Sequence, residues 1–89
     1  MRATKKPVTV EYITVREAVG AAARSWKDLP RWLSDAYENG TVIFLNDAID
    51  MMTLEGAMRG NIDDIIIQGV KGELCPCKPD IFTATYNIV

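Results

Sequence analysis

Two short apolar runs, "TVIFLN" at 41–46 and "DIIIQG" at 64–69, constrain the fold of this chain more than any other feature. Each is bounded by turn-forming residues, and each carries aliphatic side chains at consecutive rather than alternate positions. Successive side chains on a strand point to opposite faces, so such a strand asks for cover on both. In 89 residues that cover is scarce, because a domain of this size buries only about 60–65% of its unfolded surface. Two or three short helices do not cover both faces of a four- or five-stranded sheet. The pattern therefore predicts sheet curling or a partner chain, and a homo-oligomer is the expectation.

The rest of the chain supplies the other elements. "PVTVEYI" at 7–13 predicts a first strand with Val8, Val10 and Tyr12 on one face. "TVRE" at 14–17 has the spacing of a capping box, opening a helix over about 15–25 with Val15, Ala18, Val19 and Ala22 inward. Asp28 ahead of Leu29-Pro30 reads as a second N-cap, and Asn39-Gly40 ends the helix that places Trp32, Leu33, Ala36 and Tyr37 on one side. "DMMTLEG" at 50–56 predicts the partner of strand 41–46, turning at Glu55-Gly56. Residues 64–68 and 72–75 are two further strands, joined through Gly69 to Gly72. "KPDIFTATY" at 78–86 closes the chain with one or two helical turns docked by Ile81, Phe82 and Tyr86. The expectation is an α+β fold: a mostly antiparallel sheet of about five strands (7–13, 41–46, 50–55, 64–68, 72–75), two helices on one face and a short C-terminal helical turn. Residues 1–89 form a single domain in this reading, with 1–6 a flexible tail holding Arg2, Lys5 and Lys6.

Composition narrows the function classes. A net charge of −2 leaves no basic surplus for general DNA binding. No apolar run approaches the ~20 residues of a bilayer span, so no membrane partner is expected. The N-terminus lacks an apolar signal region, and two cysteines without one suggest a reducing cytoplasm. There is no histidine. That removes the commonest general base and most transition-metal sites, and no nucleophile–base–orienter set can be assembled. The chain is expected to be non-catalytic and to need no cofactor.

"GVKGELCPCKPDIF" at 69–82 is the densest stretch. Its Cys-x-Cys pair, Cys75 and Cys77, falls short of the four ligands zinc takes, so no metal is expected. The two thiols are expected on opposite faces of an extended segment, one buried and one partly exposed, without a disulfide. Gly69 and Gly72 with Lys71 and Lys78 suggest an anion cradle weakly, and positive φ angles in a hairpin more strongly. Asp63-Asp64 reads as the end of a turn. Trp26, Trp32 and Tyr37, near Arg24, Lys27 and Arg31, read either as base-stacking rings or as one side of an amphipathic core.

The pattern "TLEG" at 53–56, "GVKGE" at 69–73, "PCKPDIF" at 76–82 and "TY" at 85–86 resembles a family of small tailed-phage and prophage proteins. "KKPVTVEY" at 5–12 is similar to that family's opening strand. The chain departs from the pattern at Asp63-Asp64, where the family tends to Gly-Asp, and at Leu74-Cys75, where it tends to Phe-Tyr. Residues 14–50 carry almost none of the likeness. The resemblance implies an accessory phage product made in the host bacterial cytoplasm, and brings no activity with it.

On this footing residues 69–82 are expected to form a recognition corner displaying Lys71, Glu73, Lys78 and Asp80 beside Tyr86. The expected function is inhibition of a host process such as antiviral defence. One mechanism sequesters a nucleotide signal, with Lys71, Lys78 and Arg31 countering phosphate and rings such as Trp32 or Tyr86 stacking on the base. The other binds a host protein directly through aromatic anchors and an acidic rim. A virion or assembly component is a third class.

Overall fold

The computed structural model describes residues 1–4 and 6–89. Lys5, part of the expected basic tail, lies outside the described residues. The fold is α+β, and its strands form two three-stranded antiparallel sheets, which corrects the single five-stranded sheet. In chain order the elements are β1 (Glu11–Thr14), α1 (Val15–Arg24), a 3-10 turn (Trp26–Asp28), α2 (Arg31–Glu38), β2 (Val42–Phe44), β3 (Ala48–Thr53), β4 (Gly56–Asn61), β5 (Ile65–Gln68), β6 (Leu74–Cys77) and α3 (Pro79–Thr85). One sheet has the order β1-β5-β6 and the other β2-β3-β4.

Local chemistry explains most boundaries. The Thr14 hydroxyl accepts from the Glu17 amide at 3.1 Å, as a cap should, and donates to the Glu17 carboxylate. Glu17 does not reach back to the Thr14 amide, because Thr14 is still in β1, in register with Ile65. Asp28 is not the cap of α2; it ends the 3-10 turn, and Pro30 takes the cap position without a side-chain bond. Proline forces Leu29 into an extended conformation (ψ 140°), so the helix starts only after it. The first strand begins at Glu11 rather than 7, because β5 turns away after Gln68 and leaves residues 7–10 without a ladder partner.

β4 was absent from the expected strands. Its sequence, "GAMRGN", lacks alternation and holds two glycines, yet all six residues pair with β3. The turn before it is Leu54-Glu55, and Gly56 follows at φ 106°. Thr53 ties that turn, its hydroxyl accepting from the Glu55 amide and donating to the Gly56 carbonyl.

Two apolar clusters hold the elements together. The larger draws Val15, Ala18 and Ala21 from α1, Leu33 and Ala36 from α2, Val42, Ile49 and Met51 from β2 and β3, and Ile66 and Leu74 from β5 and β6. The smaller joins Ile65 and Ile67 to Phe82 of α3, with Val10, Cys77 and Tyr86 alongside. β5 is thus buried on both faces, as its aliphatic run requires, and the second cover is α3 of the same chain. At about 1.5–3 kcal/mol per buried aliphatic side chain, that cover is a major stabilising term. β2 finds no such cover: Val42 is buried while Ile43 is 59% exposed.

Candidate functional site

An open cleft of about 610 Å3 lies between α2, the end of the β3–β4 hairpin and the loop joining β5 to β6. α2 contributes Trp32 and Asp35, and Asn39, which caps its C-terminus, continues the same side. Gln68 at the end of β5, with Lys71 and Glu73 of the loop, faces them across the opening.

The loop is held by its own backbone. The Gly69 amide donates to the Glu73 carbonyl at 2.7 Å, and the Gly72 amide to the Gly69 carbonyl at 3.0 Å. The Lys71 amide donates to the Glu73 carboxylate at 3.0 Å. The left-handed position is Gly72, at φ 84°; Gly69, expected to share that role, has no positive φ. A Cβ at Gly69 would fall on the Glu73 carboxylate, so the present position of that side chain depends on glycine there. Glu73 is consequently a loop-forming residue as well as part of the cleft wall.

The seven residues expected to bind ligand separate into several places. Trp32, Lys71 and Glu73 meet in the cleft. Arg31, the first residue of α2, is exposed and does not line it. Lys78 is turned to the buried Asp64, its Nζ 3.2 Å from Oδ1 and 3.3 Å from Oδ2. Asp64 also accepts from the Asn61 amide at 2.9 Å, so the pair ties the β4–β5 turn to the start of α3. Asp80 sits in the first turn of α3, where its carboxylate accepts from the Ile81 amide and favours the helix N-terminus. Tyr86 stacks on Phe82 at 5.2 Å and lines a second cleft of about 700 Å3, formed with residues 6–12. The expected single corner is therefore two separate surfaces.

Asp35, Asn39 and Gln68 were not among the expected residues. The first two were accessible to sequence reasoning, since they follow Trp32 at i+3 on the helix and at i+7 at its C-cap. Gln68 carries no comparable signal. Trp26, Tyr37 and Phe44 form a cluster of their own: Trp26 lies 5.1 Å from Tyr37 and 5.6 Å from Phe44, edge to face.

Cys75 and Cys77 share a face, which corrects the expectation of opposite ones. They stand in register with Ile67 and Ile65, and side chains two residues apart on a strand point the same way. Both thiols are free, Cys75 exposed and Cys77 half-buried. Burial pushes both up from the usual thiol range, reinforced by Glu73 and Glu55 at Cys75, and at Cys77 by Cys75, Asp64 and Asp80. Among the described residues no group of three or more cysteine, aspartate or glutamate side chains is placed to hold a metal ion, and no helix is long and apolar enough to cross a membrane.

No protein-family model, curated protein or solved structure matches this chain.

Proposed function

We propose that this chain is a non-catalytic binding protein that sequesters a small nucleotide, as a homo-oligomer in the cytoplasm of a bacterial host. The setting comes from the phage resemblance, which points to an accessory product acting against a host process such as antiviral defence. The supporting observation is the cleft itself. Its volume of about 610 Å3 falls within the ~300–1,000 Å3 usual for small-molecule sites. Trp32 offers a ring for stacking on a base, and Asp35, Asn39, Gln68 and Glu73 offer acceptors and amides for base edges and ribose hydroxyls. Among the described residues Lys71 is the one cation lining it, with the Glu73 carboxylate beside it on the loop and Asp35 on the facing wall. That balance favours a ligand of low phosphate charge, such as a cyclic nucleotide or a phosphodiester, over a triphosphate.

Thermal-shift screening against cyclic and linear nucleotides tests the reading. A ligand at 100 times its Kd stabilises the folded state by about 2.7 kcal/mol, a readily measured shift. Trp32→Ala and Lys71→Ala are expected to abolish it, and Arg31→Ala to leave it intact. Absence of any shift across the panel sinks the sequestration reading.

A second reading, direct binding of a host protein, is favoured by the apolar rim of the same cleft. Leu54 is 85% exposed and Met52 is 56% exposed, and Val70 on the neighbouring loop is 68% exposed. Co-purification of a host protein lost on Leu54→Asp, together with a silent nucleotide screen, selects this reading.

A further inference from the structure

The chain exposes more surface than its mass requires. Its accessible area is 6570 Å2, whereas a compact monomer of 9.9 kDa exposes about 5,200 Å2. The excess of roughly 1,400 Å2 exceeds the ~800 Å2 that each partner contributes to a standard interface. The molecule is also elongated, at 48 × 23 × 20 Å. Part of the excess is the segment leading into β1, where residues 6–9 are all exposed. No backbone hydrogen bond joins residues 6–10 to any other described segment. Among the described residues β1 is moreover an edge strand, paired with β5 alone, so its other edge is open. Such a row of free amides and carbonyls is a template for another strand.

The second cleft has the shape that template implies. Its 700 Å3 are lined by every consecutive residue from Lys6 to Tyr12 on one side, and by Phe82 and residues 85–89 on the other. Neighbouring side chains of an extended segment point to opposite faces. Glu11 and Tyr12 belong to β1 and residues 6–10 lead into it, so a cleft that touches all seven in succession follows this stretch of backbone rather than one side-chain face. It lies where a strand added to the β1 edge would run.

We propose that the occupant is residues 6–12 of a second copy of this chain, paired antiparallel about a two-fold axis, so that the segments leading into β1 join the two β1-β5-β6 sheets. This rests on the homo-oligomeric part of the proposed function and gives it a surface. The sequence of the segment selects the register. A pairing centred on Glu11 sets two carboxylates directly opposite each other, which destabilises. Centred on Thr9, it sets Glu11 against Pro7 of the partner subunit and Val8 against Val10 of the partner subunit. Val8, 48% exposed, then gains cover, and the cluster of Val10, Tyr12 and Phe82 continues across the axis. A two-fold interface uses the same patch twice, which this palindromic pairing satisfies.

Sedimentation velocity at micromolar concentration tests the assembly. The intact chain is expected at twice its monomer mass or above, and Val8→Asp is expected to lower that mass while far-UV circular dichroism stays unchanged. Ile43→Asp, on the other sheet, is expected to have no effect. Thr9→Cys, in a Cys75→Ser/Cys77→Ser background under oxidised glutathione, is expected to give a covalent dimer, and Ile43→Cys is not. A monomer at all concentrations overturns the proposal. So does an oligomer that Val8→Asp leaves intact and Thr9→Cys does not cross-link, because its interface is then elsewhere. A nucleotide shift obtained on a monomer would leave sequestration standing and remove only the assembly.

Discussion

Lys71 and Lys78 lie seven residues apart and have different work to do. Lys78 neutralises Asp64, a carboxylate only 4% exposed, while its own side chain keeps 59% of its exposure. Removing the ammonium leaves the Asp64 carboxylate with the Asn61 amide as its remaining partner among the described residues. A buried carboxylate that loses a charged donor costs about 1–3 kcal/mol, and the solvent around Nζ places Lys78→Ala near the lower end, at about 1 kcal/mol. Lys71 forms no ion pair among the described residues, so Lys71→Ala is expected to leave stability unchanged. Urea midpoints of the two variants separate the roles: the midpoint falls for Lys78→Ala alone. Should Lys78→Ala instead keep its midpoint and lose a nucleotide shift, Lys78 belongs to the ligand site and the Asp64 contact is incidental. Sequence alone joined the two lysines because a strand, a turn and a helix start fall within a few residues. Which one met a buried acid depended on where Asp64 sat, fourteen residues from Lys78.

At the scale of elements, the legible parts of the chain were those with strong local signals. Thr14 and Glu17 marked the start of α1, and Pro79 the first turn of α3, because caps and proline act within one turn. β4 was illegible because its stability is borrowed from pairing with β3, not from its own pattern. The division into two sheets was equally hidden, since strand order depends on contacts between residues far apart in sequence. One wall of the cleft was readable as Trp32, Asp35 and Asn39, whereas the approach of Gln68 and Glu73 to that wall needed the fold. The aliphatic run of β5 did announce a need for two-sided cover, and α3 meets it through Phe82. Truncation of Phe82 to alanine is therefore expected to cost about 3–5 kcal/mol and to uncover Ile65 and Ile67. Calorimetry should show a fall in Tm of well over 10 °C for a chain this short, with aggregation on heating. A change of only a degree or two would mean that α3 is not the cover of that face.

At the scale of the whole molecule, the question is whether two sheets make one cooperative unit. Their meeting point is Gly60 of β4. A Cβ built there would lie 3.1 Å from Val15 Cγ2, 3.6 Å from Met51 Cε and 3.6 Å from Pro76 Cβ. These three neighbours come from α1, from one sheet and from the other, so the glycine sets how closely the sheets approach. The larger apolar cluster likewise takes residues from both sheets, and neither sheet keeps a complete core without it. Overpacking at such a point typically costs about 1–3 kcal/mol, because the neighbours must move off their preferred positions. Gly60→Val is expected to lower the urea midpoint by that amount, with Gly60→Ala milder. The informative measurement is the coincidence of probes. Trp26 and Trp32 report by fluorescence from the helical side, while far-UV circular dichroism reports backbone order throughout. One core shared by both sheets requires the two signals to shift together in the variant, with a single midpoint. Two separated midpoints would show that the β1-β5-β6 sheet, clamped by α3, keeps its fold after the other sheet has melted.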